Sequence, residues 1–100
     1  MKLEISKMLT ISTVHISEET AKKIDITVEN GELPLSVYRK ERYGWWIYLT
    51  PGISNNNYLP NDLKDCITLA AENHCQWLCI DCDGRVVPGL KKYEHSWGDC

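Results

Sequence analysis

One hundred residues with 11 basic and 14 acidic side chains carry a net charge of −3, a size that suits one domain (1–100) with little core to spare. The scattered, mildly acidic charge argues against nonspecific duplex binding, which needs many Lys and Arg contacts to phosphate. No apolar run approaches a membrane span, and MKLEISKML lacks the apolar region of a signal peptide, so a cytoplasmic protein is expected.

Residues 1–7 read as a lead-in, followed by a strand over Met8–Val14 in which Leu9, Ile11 and Thr13 alternate with Thr10, Ser12 and Val14. Ser17 then reads as a helix N-cap, with Glu18 and Glu19 in the first turn and Ile16 and Ala21 at staple positions. Ala21, Ile24 and Val28 share a helical face, but Ile24, Ile26 and Val28 also alternate, so the pattern leaves the helix end open before Asn30-Gly31. Pro34–Lys40 and Trp45–Thr50 predict two strands joined by a turn at Glu41–Gly44. Pro51–Pro60 is a polar loop, and Asn61 is the expected cap of a second helix. Leu63, Cys66, Ile67 and Ala70 fall at i, i+3, i+4 and i+7 and predict its buried stripe.

The stretch CQWLCIDCDGRVV (Cys75–Val87) is the densest in chemistry. Trp77–Cys82 predicts a strand covered on both faces and central or nearly so in its sheet. Asp83-Gly84 predicts a type I′ turn, and Arg85–Val87 a return strand ended by Pro88-Gly89. The order βαββαβ followed by a further strand predicts an α+β two-layer sandwich of the split βαβ, ferredoxin-like kind, with an extra C-terminal hairpin strand. Residues 90–100 are expected to form a loose tail.

Three chemistries compete with this structural reading. Cys79-x2-Cys82 with His95-x4-Cys100 approaches zinc-ligand spacing. Pro88-Gly89 falls where a finger's helix should form, however, and the odd count of five cysteines fits reduced thiols as well as metal ligands. No metal or other cofactor is therefore assigned, zinc being a minor alternative. LCIDCDG looks like the aspartate motif of haloacid-dehalogenase-type phosphatases, in which the first Asp is the nucleophile. Only 16 residues follow Gly84, too few for that family's scaffold, so Asp83 reads as a turn residue. Tyr43-Gly44-Trp45-Trp46-Ile47-Tyr48 fits the aromatic part of the RNA-recognition signature, with Tyr43 and Trp45 outward and Trp46 and Tyr48 inward. Glu41-Arg42 stand where that signature has a basic residue and Gly, and no first-strand aromatic partners it. His15, His74 and His95 couple locally to no nucleophile, and no enzyme activity is expected.

MLTISTVHISEETA, VYRKERYGWWIYL and NDLKDCITLAAENHCQWLCIDCDGRVVPGL together resemble a family of short uncharacterised bacterial proteins associated with conjugative and other integrated mobile elements. The resemblance spans about Met8–Tyr93 and departs from it at His74, where a Gly is typical. It implies a stand-alone accessory protein and brings no site residues. With four Trp, five Tyr and no Phe, a side-chain set suited to half-buried contact positions, the expected role is a non-enzymatic interaction protein. It would regulate or inhibit a host protein such as a defence nuclease. Tyr38, Arg39, Arg42, Tyr43 and Trp45 form the expected contact surface, so Trp45→Ala is expected to leave the fold intact. Single-stranded RNA binding by the same hairpin is the alternative, and a zinc-stabilised module the third.

Overall fold

The computed structural model describes residues 2–93. Its main elements are β1 (Met8–Ser12), α1 (Glu18–Asn30), β2 (Ser36–Lys40), β3 (Gly44–Tyr48), α2 (Asn61–Glu72) and β4 (Trp77–Asp81), with 3-10 turns at Thr13–His15 and Ile53–Asn55. The α+β class holds. The four strands form one mixed sheet in the order β1-β4-β3-β2, with β4 parallel to β1 and antiparallel to β3.

This order corrects two expectations. In a split βαβ unit the strands flanking a helix run parallel with another strand between them. Here β3 and β4, which flank α2, are direct antiparallel neighbours, so the ferredoxin-like arrangement is not the one formed. β4 is central, as its apolar run predicts. Both its edges are therefore taken, and no room remains beside it for the expected hairpin partner.

The turn after β4 shows how the chain leaves. Asp81 accepts the Asp83 N–H through Oδ1 at 2.9 Å, and its carbonyl accepts the Gly84 N–H at 2.8 Å, an Asx-type turn. Neither Asp83 nor Gly84 has the positive φ that a type I′ turn demands. Gly84 is used for proximity: a Cβ there would collide with the Ile11 backbone. Arg85 then makes an isolated parallel bridge to Ile11 at the outer edge of β1, and its carbonyl accepts the Ser12 N–H at 2.9 Å.

Buried His15 holds the segment that follows. Its Nε2 accepts the Val87 N–H and its Nδ1 donates to the Lys91 carbonyl, both at 2.9 Å, partners that place the ring proton on Nδ1. The Tyr93 N–H adds a bond of 2.7 Å to the Val14 carbonyl. The described part of the expected tail, 90–93, is thus tied to the body of the protein.

Local chemistry explains both helices. Ser17 Oγ accepts the Thr20 N–H at 3.2 Å, and Ile16 and Ala21 are buried on either side of that cap, as a hydrophobic staple requires. At the other end Gly31 takes the left-handed conformation (φ 66°), and its N–H reaches the Thr27 carbonyl at 3.0 Å. Ile26 is exposed while Ile24 is fully buried, so the ambiguous stretch is helix and not strand. Pro60, not Asn61, occupies the N-cap position of α2. All four stripe residues, Leu63, Cys66, Ile67 and Ala70, are buried, and burial pushes the Cys66 thiol up to about 12. At the exit His74 replaces the usual Gly with φ 60°, and Cys75 N–H to Ala70 O and His74 N–H to Ala71 O (both 3.0 Å) complete a Schellman motif.

α1 packs against β2 and α2 against β4. Both helices share one buried cluster with Ile11, Trp45, Ile47, Leu78 and Ile80, which lie on the same face of the sheet by register. The helices are also tied to each other. From the first turn of α2, the Asp62 carboxylate accepts the Ser17 N–H at 2.7 Å and the Thr20 hydroxyl at 2.8 Å. Asp62→Ala should therefore lower unfolding stability in urea by about 2 kcal/mol, and Asp62→Asn, which keeps one acceptor oxygen, should lose less.

Candidate functional site

With both helices on one face, the opposite face of the sheet has no helical cover among the described residues. Register assigns it three rows across β1-β4-β3-β2: Met8, Trp77, Tyr48, Ser36; then Thr10, Cys79, Trp46, Tyr38; then Ser12, Asp81, Gly44, Lys40. Residues directly opposite on paired strands share a face, so this assignment follows from hydrogen bonding alone. The upper two rows hold four aromatic side chains.

The rings form a cluster on this face. Tyr48 meets Trp77 edge-on at 5.1 Å between centroids, and Tyr38 meets Trp77 at 6.0 Å with a 49° tilt. Met8, Tyr38 and Tyr48 remain 45%, 55% and 39% exposed, whereas Cys79 in the middle row is 1% exposed beneath its larger neighbours. Burial holds the Cys79 thiol above its ordinary value, which suppresses the thiolate and its reactivity.

The third row is electrostatic. Lys40 Nζ donates to Asp81 Oδ2 at 2.5 Å and stands 5.7 Å from the Trp46 ring centroid. Burial alone would raise the Asp81 carboxyl, but the hydrogen bonds from Lys40 and the Asp83 N–H outweigh it and hold the group below its ordinary value. The bond to Asp81 raises Lys40, against a smaller opposing effect of burial.

The expected contact residues do not share one surface. Tyr38 lies on the open face. Arg39 points to the helical side, where it pairs with Asp25 at 3.4 Å and Glu29 at 3.8 Å. Arg42 and Tyr43 sit in the β2–β3 turn, the guanidinium 5.5 Å from the ring. Trp45 is 3% exposed, and its Nε1–H donates to Asp25 at 2.8 Å. The two faces of β3 are therefore the reverse of the RNA-type expectation: Trp45 is core, and Trp46 and Tyr48 look outward. The missed site residues are Met8, Trp46, Tyr48 and Trp77. Parity could have found them, since Trp45 alternates in step with Ile47 and Leu49, and aliphatic side chains mark the buried face.

The other candidate chemistry is dispersed. Cys79 is buried within β4 and Cys82 follows the strand, while His95 and Cys100 of the zinc set lie outside the described residues. Asp81, Cys82 and Asp83 bring ligand atoms within 4.8 Å of one another, but Asp81 is already committed to Lys40. A cavity of about 350 Å3 at the β2–β3 turn is lined by Asp25, Arg39, Glu41, Arg42, Gly44 and Trp45. Its Asp25 and Arg39 charges neutralise each other. Among the described residues, no helix is long and apolar enough to cross a membrane.

Two outcomes follow from this geometry. Trp45→Ala should cost about 3–5 kcal/mol in denaturant unfolding, as truncation of a buried aromatic does. The Lys40–Asp81 pair sets two pH limits. Asp81 contributes stability above the ordinary carboxylate range that is lost as pH falls through its depressed value, and Lys40 contributes stability that is lost as pH rises through its elevated value. Unfolding midpoints measured across pH should show both limbs, and Lys40→Met should flatten the acid limb and remove the Lys40 contribution from the alkaline one.

Comparison with known sequences and structures completes the description. No curated protein and no solved structure matches the chain. Residues 8–95 match the C-terminal domain of a family of unknown function, DUF5983; the chain belongs to that family.

Proposed function

We propose that this chain is a non-enzymatic interaction protein that docks on a protein partner through the open face of its sheet. The observation that carries the reading is the aromatic cluster of Tyr38, Trp46, Tyr48 and Trp77 on a face that neither helix covers. Trp and Tyr dominate the energetics of protein contacts because they desolvate a large rigid area at low entropic cost. The non-enzymatic part of the reading rests on the state of the nucleophilic and basic side chains. Both His15 ring nitrogens are occupied by backbone groups, and burial raises the Cys66 and Cys79 thiols. In keeping with the resemblance to mobile-element proteins, the role we assign is regulation or inhibition of a host protein, a defence nuclease being one such target.

Single-stranded RNA is the second reading, favoured by aromatic side chains on adjacent interior strands of a four-stranded sheet. Its weakness is charge: Lys40, the basic side chain that register places on this face, is paired with Asp81.

Site-directed photo-crosslinking separates the readings. A photo-reactive phenylalanine analogue in place of Tyr38 should trap one protein partner, and the same replacement of Tyr58, which is 82% exposed elsewhere, should not. Loss of the adduct on Trp46→Ser would tie it to the face. Equal labelling from both positions would sink the protein-docking reading. Oligonucleotide adducts, with salt-dependent binding lost on changing Trp46 and Trp77, would replace it with RNA binding.

A further inference from the structure

Within the open face lies a recess of about 220 Å3 lined by Met8, Tyr38, Trp46 and Trp77, and its lining is wholly apolar. We propose that this recess is a binding site for a quaternary ammonium group of the choline type. The site shares the face assigned above to partner contact, but it does not depend on that assignment.

Four features select this chemistry. Aromatic faces carry negative quadrupole potential and attract cations, most strongly at Trp. The same face already shows the attraction, because the Lys40 ammonium stands 5.7 Å from the Trp46 centroid. The Lys40 charge is neutralised by Asp81, so it leaves the recess open to a second cation. The chain as a whole is acidic, at −3.

The apolar lining then discriminates among cations. A primary ammonium or a guanidinium seated against these walls would exchange water at part of its N–H donors for carbon contacts, at a desolvation cost. A trimethylammonium group has no N–H to satisfy. Its charge is spread over methyl groups that make dispersion contacts with the rings and with the Met8 thioether. Ring geometry disfavours flat ligands, because the lining rings Tyr38 and Trp77 are tilted by 49°, whereas a planar base is held best between parallel rings.

The test uses the indole N–H signals of the whole protein in two-dimensional NMR. Choline should shift the Trp46 and Trp77 signals. The Trp45 signal, held by Asp25 inside the core, should stay in place and serve as a reporter of folding. The decisive comparison is 3,3-dimethylbutan-1-ol, the neutral isostere of choline with carbon in place of nitrogen, which should bind about tenfold more weakly. Trp77→Leu should abolish the choline shift. If the Trp45 reporter shows that this variant does not fold, Tyr38→Leu on the exposed edge strand should weaken choline instead. Phosphatidylcholine vesicles tell the sources apart: binding tighter than to free choline assigns a lipid headgroup, and weaker binding assigns a soluble ligand. Equal affinity for choline and its isostere would overturn the cation site while leaving an apolar contact face. No shift with choline would overturn the proposal outright.

Discussion

The structure depends on the confinement of β4 between β1 and β3. A strand with both edges paired and one face against α2 must fill nearly every position with a side chain that tolerates dryness. Leu78, Cys79 and Ile80 do so at 0%, 1% and 0% exposure. Its terminal Asp81 is tolerated because Lys40, two strands away, supplies a charge partner. Confinement also dictates where the chain goes next. With no edge available, the turn at Asp81–Gly84 sends it past β4 to the far side of β1, and Gly84 is there because the two backbones come too close for a side chain.

The one-sided layering follows from the same arrangement. Both helices cover the face that carries Ile11, Ile47, Leu78 and Ile80, and the other face is built from residues that accept partial wetness. Trp and Tyr in place of Phe suit it, since each offers a broad apolar surface and one hydrogen-bonding atom. Trp45 shows the same chemistry put to the opposite use. Its ring is buried, and its single donor is spent on Asp25 of α1, which also receives Arg39 from β2. One carboxylate thereby pins a helix to two strands.

Much of this was legible in the residues. The α2 stripe, the Ser17 cap with its staple, the Gly31 terminus and the central rank of β4 all follow from short-range rules, where period and capping chemistry act within one turn or one strand. Strand neighbours were not legible. An Asp-Gly pair promotes a hairpin only where an edge is free, and edge occupancy is set by strands distant in sequence. The face of β3 differs from the motif-based expectation for another reason: burial follows the parity of Ile47 and Leu49, which places Trp45 with them in the core. His15 was invisible as a fastening because its partners, the Val87 N–H and the Lys91 carbonyl, are backbone groups more than 70 residues away, and the backbone leaves no signature in composition.

The Arg85 bridge at Ile11, with the Ser12 N–H spent on the Arg85 carbonyl, has a consequence for assembly. A sheet open on both outer strands can add copies at either side and grow into a fibre. Here β2 is one outer strand, and the other, β1, is interrupted by the chain's own backbone. Among the described residues, an incoming strand meets an uninterrupted outer strand on β2 alone. Edge-to-edge association of such a sheet is therefore self-limiting: two copies joined along β2 would each present an interrupted strand outward, and the ladder would end there.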